Sequence, residues 1–272
     1  MRTIAALSLK GGVGKTTLAV NLAVGLAARL PKRKRLLLVD ADPQANATLT
    51  MLDGQEPDEP TLGEVLQGDV AAGDAIRPSR VDKIDLLPAA YTLADVPTTL
   101  ADVMGRERRL RVALESVESD YELCLIDSPP QLTLLSINVL EAATHGVLVP
   151  ADSSLYSAVG ISKLEDTVAQ VRRFLSNDSL RIIGIVLCKA GTTKAAKDLE
   201  RALRKGYREM VFQTVIPASV KVDEAIARNR SVLEWAPSSP VAKAFDKLVT
   251  EVLAHGRDKR NARARHHAED AA

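Results

Sequence analysis

Lys10-Gly11-Gly12-Val13-Gly14-Lys15-Thr16-Thr17 is the stretch that decides the fold. It reads as a variant of the phosphate-loop pattern GxxxxGK[ST], with an extra lysine, Lys10, ahead of two glycines. The apolar run Ile4-Ala5-Ala6-Leu7-Ser8 precedes it, and the helix-like Thr17-Leu18-Ala19-Val20-Asn21-Leu22-Ala23 follows. Strand, loop and helix in that order form the setting a phosphate loop requires. Gly11, Gly12 and Gly14 let backbone N–H groups turn inward without a Cβ in the way, and Val13 sits among them. The helix that follows offers its N-terminal N–H groups and positive dipole end to the same anion. Lys15 would reach the β- and γ-phosphates, and the Thr16 hydroxyl would hold Mg²⁺. A nucleotide is the expected ligand.

Working outward, apolar runs recur with helix-length segments between them. Leu36-Leu37-Leu38-Val39 ends at Asp40, Ile84-Asp85-Leu86-Leu87 at Pro88, and Leu123-Cys124-Leu125-Ile126 at Asp127. Gly146-Val147-Leu148-Val149 ends at Pro150, and the run from Ile182 to Leu187 is the longest. Unbroken apolar runs, rather than alternation, point to strands covered on both faces. Amphipathic helices are expected over 106–116, 131–143, 162–175 and 194–208. Strand alternating with helix predicts an α/β fold, a doubly wound, mostly parallel sheet flanked by helices. Ligands of such sheets gather at the carboxyl ends of the strands, where Asp40, Asp42, Asp127 and Asp152 all fall. Several carboxylates beside a phosphate loop suit a Mg²⁺–nucleotide site.

The 272 residues, 46% apolar and 3% aromatic, suffice for a full core built from Ala, Leu, Val and Ile. One domain over 1–255 is expected, followed by a basic tail, 256–272, that has lost its apolar face and is expected to be disordered. The acidic stretch 52–72 is the expected flexible excursion. No run approaches the roughly 18 apolar residues of a membrane span, and with an apolar strand at the very start no leader is expected. Cys124 and Cys188 lie in apolar runs without CxxC spacing, so buried thiols in a cytoplasmic protein are expected. Residues 1–150 carry 15 Lys and Arg against 20 Asp and Glu; residues 151–272 carry 21 against 15. A basic second half is compatible with a polyanionic partner and equally with a solvated surface.

Val39-Asp-Ala-Asp-Pro-Gln44 and Ile126-Asp-Ser-Pro-Pro130 close the set. Alone, the first reads as a turn, since Asp and Pro favour turns. Together with the Lys10–Thr17 loop the chain resembles the deviant Walker A ATPases of the ParA/MinD group, and is most similar to short ParA-type partition ATPases. Val149-Pro150, Tyr156-Ser-Ala-Val-Gly160, Thr214-Val-Ile-Pro217 and Ser231-Val-Leu233 extend the likeness to about Leu253. The resemblance implies a P-loop ATPase that closes a homodimer on ATP and Mg²⁺, with Lys10 reaching the partner's phosphates. It implies that Thr17 touches the α-phosphate and that Asp42 orients the attacking water. It places Asp40 and Asp127 near Mg²⁺, and Pro217 against the adenine.

Among the branches of that group, a MinD-like membrane anchor needs bulky apolar residues on a terminal helix, and 257–272 contains no Leu, Ile, Phe or Trp. Cluster-holding relatives need cysteines that Cys124 and Cys188 do not supply. The expected function is therefore a nucleoid-associated DNA-segregation switch, with a ParB-type centromere-binding partner that triggers hydrolysis. The alternatives are a relative that positions a protein cargo over the nucleoid and, further off, a membrane-associated division-site regulator. Candidate contacts to non-specific DNA are Lys189, Lys194, Lys197, Arg201, Arg204, Lys205, Arg208, Lys221, Arg228 and Arg230. The family often carries Arg directly after its Ile-Pro, where this chain has Ala218-Ser219.

Overall fold

A computed structural model describes the backbone of residues 1–175, 177–191 and 193–269, and the side chains of these except 155, 195 and 256–269. Its strands are β1 (Arg2–Ala6), β2 (Leu36–Asp40), β3 (Arg77–Pro78), β4 (Ile84–Leu87), β5 (Leu123–Asp127), β6 (Gly146–Ala151), β7 (Ile182–Ala190) and β8 (Val211–Pro217). Between them come α1 (Lys15–Ala27), α2 (Asn46–Met51), α3 (Leu62–Gln67), α4 (Ala72–Ala75), α5 (Val96–Thr99) and α6 (Arg109–Glu115). The second half adds α7 (Leu134–Ala142), α8 (Leu155–Leu175), α9 (Lys194–Tyr207), α10 (Val220–Ile226), α11 (Val232–Trp235) and α12 (Pro240–Glu269).

The strands form one sheet in the order β3-β4-β2-β5-β1-β6-β7-β8. All pairs are parallel except β3 with β4. The chain winds outward from β1 to one edge, returns through β5, then crosses β1 to build the other half. That reversal is the topological switch point where open α/β sheets bind ligands.

Alternation along each strand divides the core between the two faces. Leu37 and Val39 of β2 join Cys124 and Ile126 of β5 beneath α7 and α8. Leu36, Leu38, Leu123 and Leu125 face the other way, onto α1 and α12. The doubly wound, mostly parallel sheet expected from the apolar runs is the fold observed.

Two local expectations need correction. The stretch 52–72 contains α3, started by a capping box in which Thr61 and Glu64 bond each other reciprocally. The pattern Thr61-Leu62-Gly63-Glu64 announces that start, but the surrounding acidic residues and prolines obscured it. Helix α8 begins at Leu155 rather than 162, because the Ser154 hydroxyl accepts from Ser157 N–H at 3.3 Å and satisfies the first turn. Helix α12 runs on to Glu269, while the side chains of 256–269 and all of 270–272, and with them the disorder expected of the tail, lie outside the described residues.

Candidate nucleotide site

The loop leaves β1 at the switch point. Gly12 (φ +74°) and Gly14 (φ +95°) lie in the left-handed region, which is why these positions need glycine. Gly14 is the N-cap of α1, and its carbonyl accepts from Leu18 N–H at 2.8 Å. Helix α1 therefore aims its first N–H groups at the space enclosed by the loop. Lys15 is 6% exposed, and its ammonium donates back to the Lys10 carbonyl at 3.4 Å. Burial lowers its pKa; Asp127 and Asp42 oppose the drop without cancelling it. The ammonium thus sits between the loop and two strand-end carboxylates, in a place where an anion in the loop would stabilise its charge.

Register brings the carboxylates together. Asp40 and Asp127 are cross-strand partners at the ends of β2 and β5, and Asp127 pairs on its other side with Ala6 of β1. Both are fully buried. Burial, opposed by bonds from Thr48 and the Asp42 N–H, pushes Asp40 up to about 6. One Asp40 oxygen accepts from Asp42 N–H at 3.1 Å; the other accepts from the Thr48 N–H and hydroxyl, both at 2.8 Å. The Thr48 hydroxyl in turn accepts from Ala89 N–H at 3.0 Å. Asp40 therefore ties together the turn after β2, helix α2 and the segment after β4.

Asp127 is different. Among the described residues, none donates a hydrogen bond of ordinary length to either of its oxygens. Burial and the neighbouring Asp40 push its carboxyl well above the usual range; the Thr16 hydroxyl and Lys15 offset this only partly. A buried carboxylate with unused lone pairs, flanked by a threonine hydroxyl, is the donor set a hard cation takes. No group of three or more His, Cys, Asp and Glu is arranged as a metal cage among the described residues. Mg²⁺ relies on few protein ligands and completes its shell with water and phosphate oxygens. Thr16 and Asp127 fit this role directly, whereas Asp40 is committed to Thr48. Asp42, 7% exposed, accepts from Gln44 N–H at 3.0 Å, which fixes its carboxylate in the turn beside the loop.

Lys10 points elsewhere. Its ammonium bonds the Asp152 carboxylate and, at 2.8 Å, the Ser154 hydroxyl, both just past β6 in the same chain. Burial works to raise the Asp152 pKa, but the bonds from Lys10, Ser157 and Ser154 outweigh it and hold the carboxyl below its ordinary value. Beside Lys10 opens a broad cleft that runs along α8 and past Leu132, Tyr156 and Val159, three large apolar side chains that are more than half exposed.

Pro217 closes a smaller cleft of about 190 Å³, lined also by Val13, Gly14, Thr17, Lys189 and Phe245. It adjoins the loop, so a base could sit there with its phosphates at Gly14. Lys189, a DNA candidate from sequence, stands in this wall instead. Other candidates are engaged within the chain. Arg201 pairs with Asp198 at 3.0 Å, Arg204 with Glu200 at 2.9 Å, and Lys221 with Glu224 at 2.9 Å. Arg230 meets Asp53, and Arg228 lies 4.1 Å above the Trp235 ring. Lys194, Lys197, Lys205 and Arg208 are exposed on or beside α9 and carry no ion pair among the described residues.

Sequence reasoning missed three positioning residues. Thr48 gives no signal, since its partner Asp40 lies eight residues back and across a turn. Asn21 is buried in α1, donates to Thr17 O at 2.8 Å and accepts from Val232 N–H at 2.9 Å, which anchors α11 behind the loop. A polar residue inside the apolar run Leu18–Ala23 was the available sign. Ser154 could be found only through its distance to Lys10.

An AAA domain family model matches residues 1–182. The sporulation initiation inhibitor protein Soj of Bacillus subtilis is 37% identical over 257 residues, which cover 94% of this chain and 99% of that protein. The chromosome-partitioning ATPase Soj of Thermus thermophilus is 42% identical over 255 residues, 93% of this chain and 96% of that one. Among solved structures, a Mycobacterium smegmatis protein described as cobyrinic acid a,c-diamide synthase, with a bound ATP analogue and magnesium, superposes with a TM-score of 0.79. It is 28% identical, and the match covers 94% of this chain and 96% of that one.

Proposed function

The chain belongs to the Soj/ParA family of ATPases, and from that membership we propose that it is an ATP-gated DNA-segregation switch. It is an ATPase whose cofactors are ATP and Mg²⁺. In the proposed cycle ATP closes a homodimer that holds nucleoid DNA without sequence preference. A ParB-type partner then stimulates hydrolysis and release.

One observation carries the reading: Lys10 belongs to the phosphate loop by sequence, yet its ammonium is turned away to Asp152 and Ser154 at the edge of an exposed apolar cleft. A lysine in that position is suited to a phosphate brought by a second copy more than to one bound in its own loop. It would act there as an arginine finger does, supplying charge to the transferring phosphoryl group. In its own loop Lys15 binds the phosphates, Thr16 and Asp127 hold Mg²⁺, and Asp42 orients the water. Mg²⁺ supplies neutralisation of the charge that builds on the phosphate oxygens. The exposed cations of α9, Lys194, Lys197, Lys205 and Arg208, support DNA contact through phosphates.

Co-sedimentation with non-specific DNA, in the presence of ATP, ADP or no nucleotide, tests the proposal. Binding only with ATP, lost in Lys15→Ala, is expected. Binding indifferent to nucleotide, or capture by anionic liposomes in place of DNA, would overturn it.

A further inference from the structure

The turn that carries Asp42 leaves β2 at Asp40 and enters α2 at Asn46. Asp42 is fixed in it at three atoms. Its N–H donates to Asp40 at 3.1 Å, its carbonyl accepts from Ala45 N–H at 2.9 Å, and one carboxylate oxygen accepts from Gln44 N–H at 3.0 Å. The neighbouring Ala41 N–H donates to the Asp127 carbonyl at 2.9 Å. Ala45 stands at φ +51°, in left-handed backbone that a non-glycine residue keeps only where its surroundings enforce it. Such a conformation beside a phosphate loop points to a turn whose exact shape is needed.

What enforces that shape can be traced bond by bond. The second Asp40 oxygen accepts from both the N–H and the hydroxyl of Thr48, in the first turn of α2, at 2.8 Å each. The Thr48 hydroxyl, having given its proton to Asp40, accepts from Ala89 N–H at 3.0 Å, just past β4. Strand β4 is itself paired with β2. The bonds therefore close a ring, from β2 through Asp40, Thr48 and Ala89 back to the sheet, and the Asp42 N–H hangs from it. Asp40, Thr48 and Ala89 are fully buried, so water does not compete for these bonds. Asp127, the cross-strand partner of Asp40, receives no bond of ordinary length from the described residues. The two carboxylates are thus divided between different tasks.

We propose that Thr48 and Asp40 are positioning residues for hydrolysis, which set the Asp42 carboxylate against the attacking water by holding the Asp42 N–H, and that Asp40 does so without serving as a Mg²⁺ ligand. This rests on the reading of Asp42 as the residue that orients the water. Hydrolysis by the full chain at one fixed micromolar protein concentration tests it, with ATP and Mg²⁺ each varied. Thr48→Val, of the same shape, should lower kcat about 10- to 100-fold, the scale of loss when a reacting group is misplaced by about 1 Å. Its KM for ATP and its half-saturating Mg²⁺ should stay near wild type, because Lys15, Thr16 and Asp127 are untouched. Thr48→Ser keeps the hydroxyl and should recover most of kcat. Thr50→Val is the control: its hydroxyl bonds the Asn46 carbonyl at 2.9 Å, in the same helix but outside the ring, so kcat should hold. Asp40→Asn should lower kcat at an unchanged Mg²⁺ requirement. Hydrogen exchange of the nucleotide-free chain should quicken over 41–48 in Thr48→Val and not in Thr48→Ser. Wild-type kcat in Thr48→Val, an equal loss in Thr48→Val and Thr48→Ser, or a raised Mg²⁺ requirement in Asp40→Asn would overturn the proposal. Asp42→Ala tests the reading beneath it. Wild-type turnover there removes Asp42 from water orientation, whereas an inactive Asp42→Ala beside an unimpaired Thr48→Val removes only the ring.

Discussion

Replacing Asp152 with asparagine tests whether the Lys10 contact restrains the switch. The pair is partly exposed, with about a quarter of each side chain open to solvent, so it is weaker than a buried ion pair. Such a pair contributes about 0.5–1 kcal/mol. Asparagine retains a hydrogen-bond acceptor for the Lys10 ammonium, and Ser154 still holds it at 2.8 Å, so only the charge-dependent part is lost. If Lys10 must leave Asp152 to reach a second copy, both protomers release the contact on dimerisation. The gain is then about 1–2 kcal/mol per dimer, or a roughly 5- to 30-fold tighter dimer. Sedimentation velocity with a non-hydrolysable ATP analogue reads this directly. Nucleotide affinity of the monomer should stay unchanged, since Asp152 makes no contact with Lys15, Thr16 or Asp127. The difference between variant and wild type should shrink at high salt, where an exposed pair is screened. An unchanged or weakened dimer, with ATP binding intact, would refute the reasoning and assign Asp152 to the dimer contact itself.

Further outcomes follow from the same geometry. Burial raises the Asp40 and Asp127 carboxyls, so the nucleotide-free folded chain holds protons that the unfolded chain has released. Their contribution to stability should be greatest below the ordinary carboxylate range and should be lost as pH rises through that range towards the raised folded values. Asp127→Asn should flatten this profile and raise the nucleotide-free melting midpoint, by about 2–4 °C for each kcal/mol recovered. A scanning-calorimetry series from pH 4 to 8 checks both, and a lower midpoint in the variant would contradict the assignment. Thr48→Val removes one hydroxyl donor to buried Asp40 and the acceptor of Ala89 N–H; urea unfolding should show a loss of about 2–3 kcal/mol. Asn21→Ala should cost about 1–3 kcal/mol by leaving the Val232 and Leu233 N–H groups unpaired, and equal stability would remove Asn21 from its anchoring role. In DNA binding, each of Lys194→Ala and Lys197→Ala should lower the salt slope of log K by about 1 if that lysine meets a phosphate, whereas Arg201→Ala, already paired with Asp198, should change it less.

The sheet and the loop were legible because each is encoded locally. Runs such as Leu36–Val39 and Leu123–Ile126 are apolar on both faces, which only a covered strand tolerates, and two loop glycines occupy left-handed backbone. The carboxylates could be placed at strand ends but not ranked. Asp40 and Asp127 look alike in sequence, each closing an apolar run, and only the register that makes them neighbours shows how they differ. Asp40 finds three donors in the chain itself and serves as a brace. Asp127 finds none of ordinary length among the described residues, so its oxygens keep unused lone pairs. Cations on helices could be counted but not separated either, because pairs such as Arg204–Glu200 depend on which side chains a folded surface brings within reach.

The partition of the two loop lysines carries the greatest weight for mechanism. Lys15 is buried against the carboxylates of its own chain, where burial lowers its pKa and an incoming phosphate would favour the charged form. Lys10, five residues earlier, is held outside that enclosure by Asp152 and Ser154. A single loop therefore presents one cation inward and one outward. Binding of a phosphate at Lys15 satisfies the inner lysine but gives the outer one no reason to move. Only an anion arriving from outside competes with Asp152 for Lys10. Hydrolysis in the isolated chain should accordingly be slow even with ATP saturating Lys15, and its rate should rise with protein concentration as second copies supply that anion. A turnover rate per chain that stays constant from nanomolar to tens of micromolar protein would show that Lys10 serves its own loop after all.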